Sequence, residues 1–185
     1  MTTNKTKPLP DHLGGHLNKV HTDDGALEFA KRELNVSTML DIGCGPGRQV
    51  ELAREKNITA FGIDGDYEVL PGKEYFELID FTKDRYLSDK TFDLAWSVEF
   101  LEHVDEKYID NYLPAFMACK SIICTFAPPG TPGHHHVNCQ EEDYWIELFA
   151  NVGFKFEEAL TKQLRNESTM QKPFIQMRGM VFSKR

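Results

Sequence analysis

The residues best suited to chemistry in this chain begin with Asp41-Ile42-Gly43-Cys44-Gly45-Pro46-Gly47. Gly43, Gly45 and Gly47 can turn through positive φ and leave no Cβ where a ligand must approach the main chain. A second carboxylate, Asp64, stands 21 residues beyond Gly43, and at the tip of a strand it can accept hydrogen bonds from both hydroxyls of a ribose. Two later stretches hold groups that exchange protons. One is Val98-Glu99-Phe100-Leu101-Glu102-His103-Val104, and the other is the internal run His134-His135-His136, imidazole being the side chain that titrates nearest neutrality. In an extended loop His134 and His136 share a face while His135 looks the other way. General base, metal ligand and plain loop polarity are the three roles open to this run. Metal ligation is the weakest, because His-x-His offers two ligands and no nearby acid is fixed by spacing, so no metal is expected. His103 is either a base or a packing and hydrogen-bonding residue at the start of a helix.

These groups need elements to position them. Val36, Met39, Leu40 and Ile42 have the apolar, partly branched character of a buried parallel strand. From Gln49 to Lys56 good helix formers follow, so the free N–H groups of that helix's first turn point back at the ligand. A second strand, Ala60-Phe61-Gly62-Ile63, ends at Asp64. A dinucleotide fingerprint needs a third glycine at position 48, where Arg48 stands, which disfavours NAD.

Further along, Asp23 and Asp24 read as caps of a helix running to Leu34, with Ala26, Leu27, Ala30 and Leu34 on one side. Pro71 and Gly72 reduce the next connection to a turn. Tyr75–Ile79 is the third strand, leading to Asp80-Phe81, and Phe92–Ser97 is the fourth. Helical spacing covers Lys107 to Lys120, with a kink or break at Pro114. Ser121–Phe126 is the fifth strand. Gln140–Asn151 is an amphipathic helix with Tyr144, Trp145, Leu148 and Phe149 facing in and Gly153 as its stop; Asn138, Glu141 and Glu142 are candidates for its cap. Phe154–Leu160 and Phe174–Phe182 read as strands, with a polar connection over 161–173 that overhangs the site.

On residues 36–128 the chain resembles the class I S-adenosylmethionine-dependent methyltransferase family, small and single-domain, through the Asp-x-Gly-x-Gly-x-Gly turn, Asp64 and the Glu-His-Val ending after the fourth strand. The resemblance implies an α/β fold, a Rossmann-like seven-stranded, mostly parallel sheet with helices on both faces and the last strand antiparallel. It implies S-adenosyl-L-methionine held by Asp41, Gly43, Cys44, Gly45, Gly47, Asp64 and Gly65. Asp80 would reach the adenine amino group, Phe81 would pack on the ring, and Ser97, Val98 and Glu99 would lie at the methyl-donor end. His103, His134 and His136 converge there as candidate catalytic groups. The fourth strand lacks the Asn-Pro-Pro-Tyr or Asp-Pro-Pro-Tyr ending with which the family grips a planar exocyclic nitrogen, so oxygen on a small molecule or glycan is the preferred acceptor. The alternative is a non-catalytic S-adenosylmethionine-binding subunit that scaffolds or activates a partner.

Composition bounds the rest. At 185 residues the chain fits one domain able to bury about 70 % of its unfolded surface, with residues 1–22 as a flexible N-terminal arm or lid bearing His12, His16 and His21 and the catalytic domain over 23–185. Formal net charge is −8 without a basic block, which disfavours a nucleic-acid partner. Cys44, Cys119, Cys124 and Cys139 form no C-x-x-C pair and read as free thiols in a reducing cytoplasm. No signal-peptide core or 18-residue apolar run appears, so a cytoplasmic monomer or homodimer without membrane contact is expected.

Overall fold

Alternation along each strand decides which face of the sheet a residue covers. Within β1 (Thr38–Ile42) Met39 enters one apolar layer while Leu40 and Ile42 enter the other; in β4 (Phe92–Ser97) Leu94 and Trp96 join the first and Ala95 the second. The remaining strands are β2 (Thr59–Asp64), β3 (Phe76–Leu78), β5 (Cys119–Cys124), β6 (Phe154–Phe156) and β7 (Met180–Lys184). In the computed structural model, which describes residues 9–14, 21–68 and 74–185, they form one sheet of order β3-β2-β1-β4-β5-β7-β6. Neighbours from β3 through β5 pair in parallel, and β7 runs antiparallel to β5 and β6. His16, the rest of the arm over 1–8 and 15–20, and the turn residues Pro71 and Gly72 lie outside the described residues.

Helices cover both faces. α1 (Asp24–Leu34), α2 (Arg48–Glu55), α5 (Glu158–Glu167) and α6 (Phe174–Arg178) bury Leu27, Val50, Leu164 and Ile175 in one layer. α3 (Ile109–Met117) and α4 (Glu142–Asn151) bury Phe116, Trp145 and Phe149 in the other. α1 begins where its cap requires: Asp23 accepts the Ala26 N–H at 2.9 Å and, fully buried, also accepts the Thr169 N–H at 3.0 Å and the Ser168 hydroxyl. One carboxylate thus ties the start of α1 to the end of α5.

The C-terminal third departs from the expected pattern. The strand expected over 154–160 stops at Phe156, because Glu158–Glu167 is a run of helix formers whose Thr161 and Leu164 face the core. Phe174–Arg178 is likewise helix, entered from Pro173, and the final strand starts only after Gly179. The polar connection over 161–173 is therefore half helix, and it packs beside α1 through the Arg32–Glu167 ion pair instead of overhanging the site. α3 carries Pro114 without ending there, and Cys119 and Lys120 already belong to β5. Glu141 is the N-cap of α4 and makes no side-chain cap bond. Among the described residues no helix is long and apolar enough to cross a membrane.

Candidate active site

The sheet order reverses between β1 and β4, and in open α/β sheets ligands lodge at the carboxyl ends of strands flanking such a point. The glycine turn leaves β1 there, with φ of 76°, 50° and 77° at Gly43, Gly45 and Gly47. Two of these glycines make room for the protein's own rings instead of a ligand: a Cβ on Gly43 would sit 2.3 Å from Phe100, and one on Gly47 2.1 Å from Phe76. The turn is pinned to β2. Gly43 and Cys44 donate to the Ile63 carbonyl at 2.9 and 3.1 Å, and Gly45 N–H donates to Asp64 Oδ2 at 2.7 Å. Asp64 Oδ1 accepts the Asp66 N–H at 2.8 Å, which fixes the carboxylate beside the turn.

A cavity of about 490 Å³ opens from this turn, within the range of small-molecule sites. Asp41, Gly43, Cys44, Gly45, Asp64 and Gly65 line it, together with Asp80, Phe81, Val98 and Glu99 and with His103, His134 and His136. Two expected residues stand behind the wall. Ser97 is fully buried, its hydroxyl donating to the Ile42 carbonyl at 3.0 Å, and Gly47 serves as the N-cap of α2. Phe81 is 5 % exposed, its ring edge-on to Phe100 and Tyr112. Asp80 is already bonded within the chain, to Thr82, Lys83 and His12. Burial opposes its ionisation, yet the hydrogen bonds from Lys83, Thr82 and His12 overcome that and hold the carboxyl well below its usual range. Burial and the charge of Asp64 push Asp41 up, and burial pushes the Cys44 thiol up.

His12, Gln49, Trp96 and Phe174 also line the cavity, none of them singled out by spacing. Residues 9–14 fold over the mouth: Leu13 packs where Gly65 has no side chain, and the Asp11 carbonyl accepts from His134 Nε2 at 2.8 Å.

The histidine end is assembled by the main chain. After β4, Glu99 takes a left-handed φ of 55° and its N–H donates to Thr125 Oγ1 at 2.8 Å; a 3-10 turn over Leu101–His103 follows. The Glu102 carbonyl then accepts from Val137 and Asn138 at 3.0 and 3.1 Å, and the buried Asn138 amide donates to the Val104 carbonyl at 3.1 Å. These bonds staple the β5 loop to the β4 loop and bring His136 edge-on to His103, with ring centroids 4.9 Å apart. His135, at φ 48°, does not line the cavity; it stands in a turn with His134 and not in the extended loop for which alternation was expected. Carboxylate or imidazole donor atoms of Glu102, His103 and His136 all lie within 4.8 Å of one another, so the acid that histidine spacing alone did not fix comes from the other loop. Glu102 and His103 lie on the 3-10 turn that follows the left-handed Glu99. Burial raises the Glu99 carboxyl to about 7 and, together with the charge of Glu99, raises Glu102 well above its ordinary value. Burial and the neighbouring His136 push His103 down to about 4, which keeps it neutral near pH 7.

The family model for a methyltransferase domain matches residues 16–121, more than half of the chain. No curated protein sequence matches it. Among solved structures, the chain is similar to a TehB-like SAM-dependent methyltransferase from Corynebacterium glutamicum (20% identity, TM-score 0.61, covering 87% of this chain and 88% of that one). It is also similar to magnesium protoporphyrin IX methyltransferase from Synechocystis with bound SAH (16%, TM-score 0.58, 88% and 81%). A SAM-dependent methyltransferase from Archaeoglobus fulgidus is a third (17%, TM-score 0.56, 86% and 92%). The glycine turn, the cavity it opens and this family match lead to one conclusion: the chain belongs to the class I methyltransferase-domain family, whose methyl donor is S-adenosylmethionine.

Proposed function

We propose that this enzyme methylates an oxygen of a small-molecule or sugar acceptor, with S-adenosylmethionine along the glycine turn and the acceptor at the histidine end. The carrying observation is that one cavity is lined both by Asp41, Gly45 and Asp64 and by His103, His134 and His136. When bound, S-adenosylmethionine supplies a methyl group on a positively charged sulfur. The site fits such a cation, since Asp41, Asp64, Asp80 and Glu99 line the cavity and no lysine or arginine does among the described residues. Asp64 would hold the ribose hydroxyls, the exposed edge of the turn the amino-acid tail, and Asp80-Phe81 the base, once His12 yields its place on Asp80. Leu13 and Phe100 give the cavity part of its apolar lining.

An aliphatic hydroxyl needs a base or a metal before it attacks carbon, whereas alignment alone can contribute roughly 7–11 kcal/mol. His103, His134 and His136 are the candidate bases, and burial keeps His103 in its neutral form. The Synechocystis neighbour's name gives a small-molecule acceptor for that protein, which supports the class of acceptor proposed here. Incubating the protein with methyl-labelled S-adenosylmethionine and fractionated extracts tests the reading. Label is expected in an alkali-stable ether or an alkali-labile ester of a small molecule; label confined to nitrogen or to macromolecules would overturn it.

A further inference from the structure

Burying a carboxylate without a donor is costly, and such groups are paired, protonated or bound to metal. Glu102 is fully buried, neither carboxylate oxygen makes a well-formed hydrogen bond among the described residues, and the groups that reach it are its own backbone and the Glu99 carboxyl. One buried carboxylate, Glu102, therefore converges with the imidazoles of His103 and His136, Glu99 stands beside Glu102, and no lysine or arginine among the described residues lines the cavity.

Both observations point to a missing positive charge. We propose that Glu99, Glu102, His103 and His136 form a site for one divalent first-row transition ion, of the Mn2+ or Zn2+ kind, at the acceptor end of the cavity. The donor set is mixed, with carboxylates that suit Mn2+ and imidazoles that suit Zn2+ and its neighbours, and it is poorer for Ca2+ or Mg2+, which prefer oxygen alone. Imidazoles that bind metal usually donate their second nitrogen to a carbonyl or carboxylate, and His136 Nδ1 does so to the Thr131 carbonyl at 3.1 Å, leaving Nε2 as the ligand atom. The His134 carbonyl is placed to do the same for His103. Gly133 is part of the construction, since a Cβ there would fall 2.1 Å from His136 Nε2.

Four protein donors leave positions open on a six-coordinate ion. A hydroxyl brought to one of them becomes more acidic. Its proton passes to solvent or to His134, and the oxygen's electron pair forms the bond to the methyl carbon as the carbon–sulfur pair returns to sulfur. This role rests on the oxygen-acceptor reading; the site itself does not.

The test is a titration of chelator-treated full-length protein with Mn2+, read by electron paramagnetic resonance of the free ion and by thermal melting, without methyl donor. One ion per chain and a rise in melting temperature are expected, with Zn2+ displacing Mn2+. Glu102→Gln should weaken Mn2+ binding 100-fold or more. If that variant does not fold, His136→Ala, at the cavity wall, should weaken it at least 10-fold while keeping the wild-type circular dichroism. No stoichiometric ion in folded wild-type protein, or unchanged affinity in His136→Ala, would overturn the site. A carboxylic-acid infrared band that persists at pH 7 in saturating Mn2+ would overturn it in favour of a Glu99–Glu102 pair sharing a proton. Stoichiometric Mn2+ binding with methyl transfer only to nitrogen would leave the site standing and remove the oxygen reading. Full hydroxyl methylation by metal-free enzyme would do the reverse to the ion's role.

Discussion

Asp64 shows how one side chain serves both turn and ligand. Its carboxylate holds the Gly45 N–H at 2.7 Å and the Asp66 N–H at 2.8 Å, so the shape of the glycine turn depends on the group that is to grip the ribose. Asp64→Ala is expected to weaken S-adenosylmethionine binding by about 1.5–3 kcal/mol through lost charged hydrogen bonds; isothermal titration calorimetry checks it, and equal affinity would remove Asp64 from the site. Gly133→Ala is expected to displace the His136 ring and lower methyl transfer at least 10-fold with donor affinity unchanged, as measured by turnover beside calorimetry. His134→Ala and His136→Ala should likewise reduce turnover more than donor binding, and unchanged turnover in both would make the loop plain polarity. At this scale the glycine turn and the place of Asp64 at the tip of β2 were legible, because they depend on local geometry, whereas the turn at His134 and His135 replaces the extended loop on which their alternation was argued. Glu102 was passed over, since only a main-chain staple between distant loops shows which way it faces.

Asp93 illustrates an element's demands away from the site. At the start of β4 it accepts from the Ser37 and Thr38 N–H groups at 3.0 Å, from both their hydroxyls, and from Lys120 Nζ at 2.8 Å, locking the entries of β1, β4 and β5 together. Burial opposes its ionisation, but the hydrogen bonds from Lys120 and Ser37 prevail and hold the carboxyl well below its ordinary 3.8. A lowered folded value means stability that is present above pH 3.8 and lost as pH falls below it. Asp93→Asn is therefore expected to cost about 1.5–3 kcal/mol at pH 7, a difference that shrinks as denaturant melts are repeated below pH 3.8; a constant difference would contradict this role. Periodicity revealed β1, β2, β4, α1 and α4 because each buries one clean stripe. It failed over 154–178, where Phe154 and Phe156 suggested a longer strand and the Thr161–Leu164 helical stripe was masked by its polar neighbours.

Across the whole molecule, charge is distributed for a cationic guest. The chain carries −8 overall, and the cavity concentrates carboxylates, which favours a sulfonium and a metal ion and disfavours a phosphate backbone. Residues 9–14 add a cover whose His12 occupies Asp80 at 3.1 Å, so donor entry has to exchange one Asp80 partner for another. The family and the mostly parallel sheet with its antiparallel last strand were readable; the acceptor's identity was not, since the loops that shape its pocket carry little periodic pattern. A crystal structure with S-adenosylhomocysteine is the most direct measurement. The nucleoside is expected along Gly43–Pro46 with its ribose on Asp64 and its sulfur facing the His103–His136 end. Density elsewhere, or a ribose that does not touch Asp64, would contradict the placement on which the enzyme's proposed chemistry depends.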